Sequence, residues 1–163
     1  MTEPLDAKDV GILRALKMDP RKSMGLIGDE LGVSKATVSR RVARMEEEGH
    51  ISGYSVDVDP NRLGLIRSLV SIQVIGSPVS VIIEQLRTYP EVSFIYKSFG
   101  DHNLVCEVFT KNIDGLHDMV QNRLLRIPNV RNVDVDILVE RVAVNVDADL
   151  DTYMDRIPEQ GEK

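Results

Sequence analysis

Four basic side chains crowd into one short stretch of the sequence. Residues 33–45, Val-Ser-Lys-Ala-Thr-Val-Ser-Arg-Arg-Val-Ala-Arg-Met, contain Lys35, Arg40, Arg41 and Arg44 and no acid. Asp29-Glu30 and Glu46-Glu47-Glu48 bound the stretch on either side. Guanidinium and ammonium groups in such a stripe suit DNA phosphates and guanine edges. A solvated helix face has the same composition. The net charge of −6 over 163 residues argues, taken whole, against a nucleic-acid partner. Divided along the chain, it does not. Residues 1–50 carry 9 basic and 9 acidic side chains, and residues 51–163 carry 11 and 17, so the acidity belongs to the second part.

Gly100-Asp101-His102-Asn103 has the residue types of an ordinary hairpin turn. Asp134 and Asp136 alternate in a later segment and read as a solvated strand face. The three histidines, His50, His102 and His117, have no metal-ligand spacing. Cys106 sits among Val105 and Val108 and reads as a small buried hydrophobe. Asp57 and Asp59 beside Pro60 read as linker. No phosphate-binding glycine loop of the P-loop type occurs. No catalytic set, metal or cofactor is therefore expected.

The elements that must carry these residues follow from periodicity and caps. Asp6 is placed as an N-cap, with Leu5 and Val10 as a hydrophobic staple, and Ile12, Leu13 and Leu16 share a face. Asp19-Pro20 ends this helix. Ser23 caps a second helix carrying Leu26, Ile27 and Leu31, and Gly32 breaks it. Ser34 then caps a third. Two helices joined by Gly32-Val33-Ser34 have the form of a helix-turn-helix. On the third helix Val38, Val42 and Met45 share the core face. Ala36, Arg40 and Ala43, flanked by Ser39 and Arg44, occupy the opposite face, which is small and basic enough to enter a groove. Ser34 at the helix N-terminus suits a phosphate. Ile51–Val58 is β-rich and expected as a wing or connecting strand, and Asp59-Pro60-Asn61 as a linker.

Beyond the linker a unit repeats. Residues 68–75 alternate as a strand, Ser77-Pro78 starts a helix carrying Val79, Ile82, Ile83 and Leu86, and Val92–Phe99 is a strand. Leu104–Thr110 is again a strand, Asn112 caps a helix carrying Leu116, Met119, Val120 and Leu124, and Val130–Val139 is a strand. The corners Tyr89-Pro90-Glu91-Val92 and Ile127-Pro128-Asn129-Val130 lie 38 residues apart. Two tandem βαβ units predict a ferredoxin-like βαββαβ domain whose antiparallel sheet has helices on one face. The other face needs cover, and a dimer packing sheet on sheet would supply it. Valines switch parity after Val139, which predicts a bulge or two strands near Glu140-Arg141. The acidic tail contains Leu150, Tyr153 and Ile157, enough for a short packed helical turn.

The expected fold is α+β. Residues 1–60 form a helix-turn-helix DNA-binding domain with a β linker, 61–146 a ferredoxin-like domain, and 147–163 an acidic tail. No segment reaches the apolar length of a membrane helix. The acidic N-terminus lacks a signal core and a single cysteine suits a reducing compartment, so the expected setting is cytoplasmic.

Several strings in this order resemble one family. They are Glu46-Glu47-Glu48-Gly49-His50-Ile51-Ser52-Gly53-Tyr54, Asp59-Pro60-Asn61-Arg62-Leu63-Gly64, Pro90-Glu91-Val92 and Phe99-Gly100-Asp101-His102-Asn103-Leu104. Together they look like the Lrp/AsnC regulators, over about residues 5–145. The resemblance implies a transcription regulator that binds double-stranded DNA, forms homodimers that assemble into tetramers or octamers, and takes an amino acid or small metabolite between subunits. It makes 61–146 the effector-binding and oligomerisation domain and places the effector at Gly100 and Asp101, with His102 and Asn103 beside them. A glycine turn there would bare backbone N–H groups to a carboxylate, and Asp101 would suit an ammonium group. Asp134 and Asp136 would favour a basic ligand if their face lined that pocket. The family commonly has an acid at position 103, where this chain has Asn, and threonines in the last strand, where this chain has Val133-Asp134-Val135-Asp136. Ser34, Lys35, Ala36, Thr37, Ser39, Arg40, Arg41 and Arg44 are the expected DNA-binding residues. The alternative is a small-molecule-sensing assembly protein whose first domain binds protein instead of DNA.

Overall fold

Local chemistry sets the ends of the helices. In the computed structural model, which describes residues 4–156, α1 spans Ala7–Met18, α2 Met24–Leu31 and α3 Lys35–Glu47. Asp6 caps α1 in a reciprocal capping box with Asp9. Ser23 accepts the Leu26 N–H and Ser34 the Thr37 N–H, as their positions predict. Gly32 closes α2 in the left-handed conformation, at φ 65°. Gly28 permits the tight turn: a Cβ there would stand 2.6 Å from the Val33 carbonyl oxygen.

Ile12, Leu16, Ile27, Val38, Val42 and Met45 form the core of this first unit. A helix from the far end of the chain joins it. α6, Ala148–Met154, buries Leu150 in the same core, and the Tyr153 hydroxyl accepts the Leu5 N–H at 2.8 Å. Arg14 pairs with Asp151 and Lys17 with Asp149, each at 2.5 Å. Among the described residues the first unit comprises 4–56 together with 143–156, and the second is Asp57–Val142. The acidic tail is thus a helical part of the first unit up to Met154; Ile157 lies outside the described residues.

The second unit is a four-stranded antiparallel sheet. β1 is Ile66–Val74, β2 Val92–Lys97, β3 Leu104–Thr110 and β4 Val130–Leu138, in the order β2-β3-β1-β4. This is the ferredoxin-like plan read from the repeat. α4, Val79–Leu86, and α5, Ile113–Asp118, cover one face. α5 runs on as a π-helical stretch, Met119–Leu124, so the expected single helix changes its winding midway. Val70, Ile72, Leu104, Cys106 and Val108 point to the helices with Ile82, Leu86 and Met119. Burial pushes the Cys106 thiol up to about 11, so it behaves as a core hydrophobe. The two corners repeat one hydrogen bond, Val92 N–H to Tyr89 carbonyl and Val130 N–H to Ile127 carbonyl, both 3.1 Å.

Three expectations are corrected. Pro78 and not Ser77 occupies the N-cap of α4, and the Ser77 hydroxyl makes no capping bond to the helix. Ile51–Val58 forms no strand, because the chain is exposed from Ser52 and its backbone has no pairing partner. Ile51 instead donates its N–H to the Met45 carbonyl at 3.0 Å, closing α3. The last strand stops at Leu138 and neither bulges nor resumes near Glu140-Arg141: the valines that follow are exposed and unpaired.

Candidate nucleic-acid interface and effector site

α3 buries Val38, Val42 and Met45, which turns Ser34, Lys35, Ala36, Ser39, Arg40 and Ala43 to solvent. This is the face that the helical wheel predicts, except that Arg44, expected at its edge, is half-buried. Thr37 is half-buried, and its hydroxyl lies 2.9 Å from that of Ser34 across the helix cap. Arg41 and Arg44 behave differently from Arg40. The Arg41 Nη1 donates to Asp9 at 2.8 Å and to Asp6 at 2.7 Å, and the Arg44 Nη2 donates to Asp9 at 2.6 Å. Asp9 is only 1% exposed. Burial alone would raise its pKa, but the hydrogen bonds from Arg41 and Arg44 outweigh that and hold the carboxyl below its ordinary range. The Arg41 guanidinium is correspondingly raised, first by Asp9 and then by Asp6.

Periodicity and capping mark Asp6 as a cap and assign Asp9 no partner. The signal was present in the spacing Asp6-x-x-Asp9, since an acid at the third helical position can reach back to the N-cap N–H. What periodicity does not carry is that the acid also meets the third helix.

The Gly100–Asn103 loop joins β2 to β3. Gly100 has φ 146°, outside the usual range of other residues, and Asp101 is exposed. The His102 Nε2 lies 2.7 Å from an Asp134 oxygen, which ties the loop to β4. Asn103 points inward: its side-chain carbonyl accepts the Val74 N–H at 2.7 Å, and its N–H donates to the Ile72 carbonyl at 3.0 Å. Asn103 therefore anchors the loop on β1. Asp136 is exposed on the same sheet face as Asp134. The structure brings His102, Asn103 and Asp134 into one neighbourhood at the end of β1.

That face carries the apolar and charged residues that the helices leave uncovered. The register aligns Phe94, Glu107, Leu69 and Asp136 in one row and Tyr96, Val105, Ser71 and Asp134 in the next. Phe94 and Tyr96 are 58% and 54% exposed, with ring centroids 6.3 Å apart. Glu107 is buried and paired with Arg67. At the other end of β1, Asp57, Asp59, Asn61, Arg67, Leu138 and Arg141 line a shallow cleft that the sequence does not announce. Among the described residues no group of three or more His, Cys, Asp or Glu is arranged to hold a metal ion, and no helix is long and apolar enough to cross a membrane.

Comparison with known proteins agrees with both units. Residues 5–46 match the AsnC-type helix-turn-helix domain, and residues 68–146 match the Lrp/AsnC ligand binding domain. The transcriptional regulator LrpA1 of Halobacterium salinarum is 35% identical over 132 residues, covering 80% of this chain and 93% of that protein. The regulator Ptr1 of Methanocaldococcus jannaschii is 31% identical over 136 residues, covering 83% and 92%. The structure of Escherichia coli AsnC superposes with a TM-score of 0.78 at 25% identity, covering 87% of this chain and 97% of AsnC. A Neisseria meningitidis regulator in complex with L-Met shares the fold at a TM-score of 0.77 and 17% identity, covering 86% and 93%. A small basic helix held against a three-residue turn, followed by a one-sided ferredoxin-like sheet, is thus the build of DNA-binding, non-enzymatic transcription regulators, and this chain belongs to the Lrp/AsnC family.

Proposed function

We propose that this regulator reads double-stranded DNA with the exposed face of α3 and answers to an amino acid or related small metabolite at the Gly100–Asn103 loop. One observation carries the DNA reading: Lys35, Ser39 and Arg40 stand exposed beside Ala36 and Ala43 on the face opposite Val38, Val42 and Met45. Small residues admit a groove and the cations meet phosphates or guanine edges. Ser34 and Thr37 hold the helix N-terminus toward a phosphate. Cytoplasmic DNA is the partner.

The effector reading rests on the loop. Gly100 bares backbone N–H groups to a carboxylate, Asp101 takes the ammonium group, and the His102–Asp134 pair sets the side-chain pocket beside Asp136. Asn103 fixes the loop to β1. The open sheet face, with Phe94, Tyr96, Val105 and Leu69, takes the same face of a second copy, so the oligomer is built from dimers. Such a dimer places two reading helices on half-sites one helical turn apart or a multiple of it.

Two experiments test this. In a gel-shift titration the wild type loses affinity steeply with salt, and Arg40→Ala weakens binding. Normal operator binding by a Lys35→Ala, Arg40→Ala variant would overturn the reading face. In a melting screen at ~100 times the dissociation constant, one of the amino acids adds ~2.7 kcal/mol of stability. That gain disappears in Asp101→Ala. If no amino acid shifts the melting temperature, the effector assignment falls and the DNA assignment stands.

A further inference from the structure

We propose that Asp9 is the positioning residue of the reading helix: from the start of α1 it clamps Arg41 and Arg44, fixing α3 and withholding both charges from the DNA backbone. The inference rests on the α3 reading above and says which of its cations do the binding.

Asp9 uses both carboxylate oxygens. Oδ1 accepts from Arg41, and Oδ2 accepts from Arg44 and from the Asp6 N–H at 3.1 Å. Its own N–H donates to Asp6 Oδ1 at 2.8 Å. The Asp6 carboxylate then takes the same Arg41 nitrogen. Two carboxylates therefore face two guanidinium groups, with one carboxylate buried. Arg41 and Arg44 stand three residues apart, on one side of α3, and reach Asp9 across 32 and 35 residues of sequence. The contact is between helices and sets the rotation of α3 about its own axis. A buried carboxylate without its partners is costly, so the pair exchanges reluctantly for a solvated phosphate. Arg40 is exposed on the far side of the helix, and Lys35 is exposed at its start. The stretch that reads as four positive charges in the sequence thus presents two of them outward.

The salt dependence of DNA affinity counts the phosphates neutralised, at a slope of about 0.9 for each. A purely structural role for Asp9 would change affinity without raising that count. The probe is a mixed-sequence duplex of about three helical turns, titrated with salt against the full-length protein. Arg40→Gln lowers the slope by about 0.9 for each reading helix engaged. Arg41→Gln and Arg44→Gln lower the melting temperature and leave the slope unchanged. Asp9→Asn raises the slope by about 0.9 for each guanidinium it releases. A slope reduced by Arg41→Gln or Arg44→Gln overturns the inference, as does an unchanged slope in a folded Asp9→Asn protein. If Asp9→Asn does not fold, the two arginine variants decide the matter alone. An unchanged slope in Arg40→Gln would instead defeat the α3 reading itself.

Discussion

The two units solve the same problem differently. Fifty residues of helix-turn-helix make a small core, and the chain enlarges it from within. α6 returns from the far end of the sequence, adds Leu150 to the core and faces Arg14 and Lys17 with Asp151 and Asp149. The sheet unit leaves one face uncovered, with Phe94 and Tyr96 more than half exposed. Small domains gain stability from each added apolar contact, so the first unit behaves as a finished body. In the proposed function a reader keeps one rigid helix face, whereas a sheet that pairs with a second copy leaves one face open.

The comparison breaks most readily at the turn of the reader. Gly28→Val places side-chain atoms against the Val33 carbonyl and should cost at least ~3 kcal/mol in denaturant unfolding, with loss of DNA binding. Leu150→Ala should cost ~2–4 kcal/mol. Its signature is faster amide exchange in α1 with β1 and β3 unchanged; equal acceleration in both units would mean that α6 does not belong to the reader alone. On the sheet side, Phe94→Glu should raise the dimer dissociation constant by ~100-fold, about 2.7 kcal/mol, in sedimentation. The unfolding temperature of the isolated protomer should hardly change, because Phe94 is exposed there. Tyr153→Phe is the smallest change, ~1 kcal/mol for the hydrogen bond from the Leu5 N–H.

Acid titration sharpens the contrast. The Asp9 carboxyl is held below its ordinary value of 3.8, so it binds protons less readily folded than unfolded. Its contribution is present above that ordinary value and is lost as pH falls through the lower folded value. Stability of the reader should therefore be flat toward neutral pH and fall only in strong acid. Asp9→Asn should remove that acid limb. Persistence of the limb in Asp9→Asn would assign it to other carboxylates of the same unit, such as Asp149 and Asp151, also lowered by their α1 and loop partners.

Much of the fold was legible because local chemistry decides it. Asp6, Ser23, Ser34 and Asn112 cap helices where their side chains reach an orphan N–H. The corners ending in Val92 and Val130 repeat because the same short string closes the same turn. Ser77 misled because Pro78 supplies the extended backbone of the cap itself. Ile51–Val58 misled because β-propensity supplies no partner strand. The candidate sites divide in the same way. The exposed face of α3 follows from the spacing of Val38, Val42 and Met45. The inward turn of Asn103 depends on the end of β1, 29 residues away.

The sequence by itself determined the helix-turn-helix, the doubled βαβ plan and the separation of a neutral first part from an acidic second. Each depends on residues close together in the chain, where period and capping act. Only the tertiary structure decided that α6 completes the reader, that Asp134 meets His102, and that Asp9 takes two of the four positive charges of α3. Those outcomes join residues 32 to 148 positions apart. Distance along the chain says nothing about such meetings; packing brings these groups together, and at Asp9 burial makes the pairing obligatory.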